Sequence, residues 1–110
     1  MKVFISQPMN GFPDDEISEE RELLIKICKD KFGEKIEILD SWFGEEFKNS
    51  ECKNKGLLYL AKSLEIMADA DIVVLGRKWG TARECVIEKN AADKYGIRVY
   101  ERSWAGDYLI

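Results

Sequence analysis

Glu88 is the residue whose setting in the sequence points most directly to chemistry. On a helix wheel of about 100° per residue, Arg83, Lys89, Asn90, Asp93 and Lys94 fall on one side of the segment 81–95. Cys85, Ala91, Ala92 and Tyr95 fall on the other, and Glu88 lies near the centre of that apolar face. Val86 is the exception, an apolar residue left among the polar ones. A carboxylate turned toward a core loses hydration, so its pKa rises unless donors or cations hold the charged form. Two outcomes stay open at this point. One is a structural ion pair, with Arg77 and Lys78 as candidate cations; the other is a catalytic group in a cleft.

The chain contains no histidine. That removes Ser/His and Cys/His nucleophilic pairs, histidine acid–base work and most catalytic zinc sites, so any chemistry falls to carboxylates. Cys28, Cys52 and Cys85 are scattered and form no CxxC pair, which fits reduced core residues better than a disulfide or metal framework. No metal or organic cofactor is expected. Glu84 stands one turn before Glu88 on the same side. Thr81-Ala82-Arg83-Glu84 also has the S/T-x-x-E spacing of a capping box, the stronger explanation for Glu84. The turn-rich segment Gln7-Pro8-Met9-Asn10-Gly11 is neither a Walker loop nor a GxGxxG fingerprint. Its amides, with the start of the following helix, could hold a phosphate or sugar hydroxyl. Ser6, Gln7 and Asn10 offer hydrogen bonds, and Met9 or Trp42 could stack on a base; an ordinary polar turn with core aromatics is an equal alternative.

The elements that must position these residues follow from patterning. Lys2–Ser6 is a short β-favouring apolar run, a buried strand. Pro13 and the acids Asp14, Asp15 and Glu16 mark a helix start, with Ile17, Leu24, Ile27 and Cys28 at helical spacing and Gly33 as its stop. A second strand covers 36–39. The stretch 44–55 is charged and aperiodic, a loop or lid. Leu57, Leu60, Ala61, Leu64 and Met67 mark a second helix, and Asp71–Leu75 is a strand covered on both faces. The loop 76–80, a third helix over 81–95 and a fourth strand over 97–100 complete the alternation. The tail residues Trp104, Tyr108, Leu109 and Ile110 are expected to pack on the body or on a partner.

The order β-α-β-α-β-α-β in 110 residues predicts a single domain, 1–110. Its expected fold is a Rossmann-like (flavodoxin-like) three-layer α/β/α architecture with a four-stranded parallel sheet in the order 2-1-3-4. In such a sheet ligands bind beyond the strand C-termini where the winding reverses, a crevice expected between 6–11 and 76–80. The net charge of −4 and the lack of any basic cluster argue against a nucleic-acid polymer as partner. No run is long enough to span a membrane, and the short apolar start lacks a signal-peptide core; the expected location is the cytoplasm.

Three segments together resemble the nucleoside 2-deoxyribosyltransferase-like superfamily, and most closely its small bacterial and phage members. They are Ile5-Ser6-Gln7-Pro8-Met9-Asn10-Gly11, Ala70-Asp71-Ile72-Val73-Val74-Leu75, and Trp79 through Glu88 followed by Ala91-Ala92. The resemblance spans nearly the whole chain to Tyr100. It implies a Rossmann-like fold and cleavage or exchange of an N-glycosidic bond in a (deoxy)nucleoside or nucleoside monophosphate. It also implies that the glutamate at the position of Glu88 attacks the anomeric carbon to give a glycosyl-enzyme intermediate, as in retaining glycosidases. Ser6, Gln7, Pro8, Met9, Asn10, Gly11, Trp42 and Glu84 are the expected substrate-binding residues, with Trp79 and Gly80 at the pocket mouth. The family often has glycine where this chain has Glu84, and an aspartate near the position of Ser63. The resemblance and the apolar tail together lean toward a homo-oligomer. Two other readings compete: a non-catalytic nucleotide-binding or sensing module on the same scaffold, and a protein-interaction domain using the C-terminal aromatics and Val86.

Overall fold

A computed structural model describes residues 1–39 and 51–110. The elements are β1 (Lys2–Ser6), α1 (Asp14–Phe32), β2 (Glu37–Leu39), α2 (Lys55–Met67), β3 (Ile72–Leu75), a short 3-10 turn (Trp79–Thr81), α3 (Arg83–Lys94) and β4 (Arg98–Glu101). The strands form one sheet in the order β2-β1-β3-β4, and every pairing is parallel. This is the three-layer α/β arrangement expected from the alternation of strands and helices.

Side-chain alternation along β1 and β3 divides the core into two layers. Val3 and Ile5, with Ile72 and Val74, pack against Leu24, Ile27 and Cys28 of α1. Phe4, with Val73 and Leu75, packs against Met67 of α2 and Ala92 of α3. One helix therefore covers one face and two cover the other, as right-handed crossovers in this strand order require. α1 ends where Gly33 takes φ +108° and donates its N–H to the Lys29 carbonyl. Among the described residues no helix is long and apolar enough to cross a membrane.

Several local expectations are corrected. Leu57 and Ala61, two of the apolar residues whose spacing marks α2, lie in that helix but are exposed. That helix reaches the core through its later turns, at Leu60, Leu64 and Met67. Tyr95 is 85% exposed because α3 ends at Lys94 and the residue caps it from outside. Val86 is half-buried rather than exposed. Of the tail's apolar residues only Leu109 packs on the body, under the α1 layer, while Trp104, Tyr108 and Ile110 remain exposed.

That tail folds back as a narrow antiparallel hairpin. Glu101 and Ile110 exchange both backbone hydrogen bonds at 2.8 Å, and the Ser103 amide donates to the Tyr108 carbonyl. The Arg102 side chain, only 3% exposed, pairs with Glu20 of α1 and, at 2.7 Å, with Asp107 of the hairpin.

Candidate functional site

A cleft of about 960 Å³ opens at the C-terminal end of β1. Its floor is built by the alternation that organises the core. Ser6 follows Phe4 by two residues and so faces the α2/α3 layer, where its hydroxyl donates to Oε1 of Glu88 at 3.2 Å. Glu88 is 6% exposed, and no lysine or arginine among the described residues pairs with it. Arg77 and Lys78, the cations available for a structural pair, are exposed instead. Burial pushes the Glu88 carboxyl up to about 7; the Ser6 hydrogen bond offsets part of that, and the nearby Glu84 charge adds to it.

Cys85 also lines the floor. Burial drives its thiol up to about 12, so the group is protonated at neutral pH and is not a nucleophile. Glu84 has the opposite setting. Its carboxylate accepts from Arg83 Nη2 at 2.7 Å, and that bond, with its own backbone amide, holds it below the usual range against a smaller effect of burial. Two neighbouring carboxyls thus have their protonation separated by environment: Glu84 is ionised, while Glu88 titrates near neutrality.

The capping box expected around them does not form. The 3-10 turn places Ala82 at the N-cap of α3, one residue later than the box needs, and Thr81 Oγ1 donates to the Lys78 carbonyl instead. Glu84 is consequently in the second helical position, with its side chain at the cleft wall.

The loop after β1 supplies a second wall through Gln7, Pro8, Met9 and Asn10. Gln7 is held by two close approaches. Gly76 lies so near that a Cβ there would stand 2.9 Å from Gln7 Cβ, and Gln7 Nε2 donates to the Ile17 carbonyl at 3.0 Å. This bond fixes which end of the amide is which. The other end, Oε1, is buried and has no hydrogen-bond partner, and a buried acceptor left unsatisfied is costly unless a ligand or water meets it.

Of the residues expected to bind substrate, the cleft brings together Ser6, Gln7, Pro8, Met9, Asn10 and Glu84 with Glu88. Gly11 lies outside its lining, and Trp42 lies outside the described residues. Trp79 and Gly80 also lie off the cleft. The 3-10 turn tucks the Trp79 ring against the α2/α3 core layer, with Lys89 Nζ 5.8 Å above it. The opposing wall comes instead from Gly56, Tyr59, Leu60 and Ser63 of α2. These four follow the i, i+3, i+4, i+7 spacing of one helix face, so the wall was readable beside the Leu/Met stripe once that stripe is rotated. Among the described residues no three His, Cys, Asp or Glu side chains are grouped to hold a metal ion.

Comparison of the chain with protein-family models, with curated proteins and with solved structures gives no match.

Proposed function

We propose that the protein cleaves or exchanges the N-glycosidic bond of a (deoxy)nucleoside or nucleoside monophosphate, with Glu88 as nucleophile. The observation that carries this reading is a buried carboxylate at the floor of a cleft, one oxygen held by Ser6 and no cation paired with it among the described residues. A carboxylate oxygen of Glu88 forms a bond to the anomeric carbon as the bond from that carbon to the base nitrogen breaks. The electron pair leaves with the base, which takes up a proton. Water, or the nitrogen of a second base, then attacks the same carbon and releases Glu88. Poor hydration makes such a carboxylate a stronger nucleophile, and the Ser6 hydroxyl fixes its direction.

Attack requires the ionised form. With a carboxyl that titrates near 7, the rate should climb as pH rises through 7 and level off about one unit above it. Chromatography of free base after incubation with a panel of deoxynucleosides and their monophosphates tests the reading. Release by the wild type, reduced at least about a thousand-fold in Glu88→Ala, is the expected result. Release that is unchanged by that substitution removes the mechanism.

Glu84 favours a second reading. Bound to Arg83 and ionised, it cannot donate a proton to a departing base, whereas a non-catalytic nucleotide-binding module on this scaffold needs no acid. Calorimetry that detects ligand binding in a sample releasing no base would select that alternative.

A further inference from the structure

Breaking the bond from an anomeric carbon to a base nitrogen leaves an electron pair on the base, and a neutral base departs readily when a proton meets it. A nucleophile and its acid flank the bond that breaks, so the base leaves from the side away from Glu88. Described residues form three sides of the cleft: the α3 floor, the β1 loop with the start of α1, and the α2 wall.

On the α3 side, Glu84 is ionised and bound to Arg83, and a guanidinium does not release its proton in a protein. Cys85 keeps its proton, but it stands three residues before Glu88 on the same helix face, beside the nucleophile. On the β1 loop the polar groups are the amides of Gln7 and Asn10, which are not acids. Asp14 is exposed in the first turn of α1, where a helix favours a negative charge. The α2 wall carries the alkyl hydroxyl of Ser63 and, one turn earlier, the half-buried phenol of Tyr59. A phenol keeps its proton at neutral pH yet is far more acidic than an alkyl hydroxyl or an amide.

We infer that Tyr59 is the proton donor to the departing base, so that the cleft handles nucleosides whose base carries no activating charge. This rests on the nucleoside reading above and adds the acid that Glu84 cannot supply. In the first step Glu88 bonds to the anomeric carbon, and the electron pair of the breaking bond passes to the base. The Tyr59 proton goes to the base, leaving a phenolate. In the second step water, or the N–H of an incoming base, attacks the same carbon and gives its proton to that phenolate, while Glu88 is released as a carboxylate. Tyr59 therefore ends each cycle as it began, in hydrolysis and in exchange alike.

The test compares wild type, Tyr59→Phe and Glu88→Ala on two pairs of substrates, with free base followed and the spontaneous rate subtracted. The first pair is 2′-deoxyguanosine and its 7-methyl derivative, whose cationic base leaves neutral without a proton. The second is 2′-deoxyuridine and its 5-fluoro derivative, whose base leaves more readily as an anion. Tyr59→Phe should slow release from the unactivated member of a pair at least about a hundred-fold and from the activated member far less. Glu88→Ala should abolish both. Release from the activated member also reports that the variant is folded. An equal loss on both members would give Tyr59 only a part in shaping the wall and overturn the inference, as would no loss on the unactivated one. In either case a Glu88→Ala that abolishes release leaves the glycosidic reading standing. A wild type that releases base from none of the four removes the inference together with that reading.

Discussion

Arg102 and Glu88 are both charged side chains buried against the sheet layers, and the chain treats them in opposite ways. Arg102 reaches between α1 and the C-terminal hairpin and meets two carboxylates, Glu20 and Asp107. Burial alone would lower its pKa; the hydrogen bonds to those carboxylates more than compensate, so its charge is kept. Glu88 is as deeply placed but, among the described residues, receives only a neutral hydroxyl, which offsets only part of the burial that disfavours its charge. Arg102 ties the last ten residues to the body. Glu88 ties nothing, and it faces a cleft. A carboxylate kept unpaired beside a hollow is stability forgone at the place where reactivity is useful.

The contrast can be broken at either end. The largest effect is expected at Arg102. Removing one side of a buried ion pair leaves its partners stranded, and Arg102→Ala should cost about 3–4 kcal/mol in urea unfolding, toward the lower end of such losses because Asp107 is largely exposed. Release of the hairpin should accompany it, read as faster amide exchange at Glu101 and Ile110. A loss below about 1 kcal/mol would place Arg102 with ordinary surface pairs and erase the comparison.

Glu88 should respond with the opposite sign. Its folded-state pKa of about 7 lies above the unfolded value of 4.5, so the folded protein holds this proton more tightly. The favourable contribution is complete below 4.5 and is lost as pH rises through 7. Glu88→Gln keeps the shape and removes the titration. It should match the wild type in stability near pH 4 and exceed it by about 3 kcal/mol at pH 8, measured by denaturant unfolding at both pH values. A variant less stable than the wild type at pH 8 would mean that the buried charge is structurally satisfied after all.

Ser6→Ala is the smallest and sharpest of the changes. The hydroxyl opposes part of the burial effect, so its loss should raise the Glu88 pKa further and carry the rising limb of the pH–rate profile to higher pH. A profile that stays in place would show that Ser6 does not act on the carboxylate.

How much of this was legible in the sequence depended on the range of the contacts involved. Strand order followed from the alternation of elements, because handed crossovers leave few ways to cover both faces of a sheet. The burial of Glu88 followed from helical spacing alone, and the first loop met it because β1 places Ser6 on the same face as Phe4. Local turn geometry was less visible. Nothing in Trp79-Gly80-Thr81 announced a 3-10 turn, and that turn both carries Trp79 away from the cleft and breaks the capping box. Of the α2 wall only the Ser63 position was singled out in the sequence; apolar spacing marks the helix but does not say that Gly56, Tyr59, Leu60 and Ser63 turn toward the cleft while Leu57 and Ala61 are exposed. The Arg102 pair was beyond reach, since it joins positions 82 residues apart through a hairpin with no turn signature strong enough to find.

Direct titration of the Glu88 carboxyl by carbon-detected NMR, assigned by its disappearance in Glu88→Gln, addresses the central claim without any substrate. A midpoint near 7 is the result expected of a buried carboxylate that no cation neutralises. A midpoint at the ordinary 4.5 would mean that the group is solvated or paired, and the cleft would lose its candidate nucleophile.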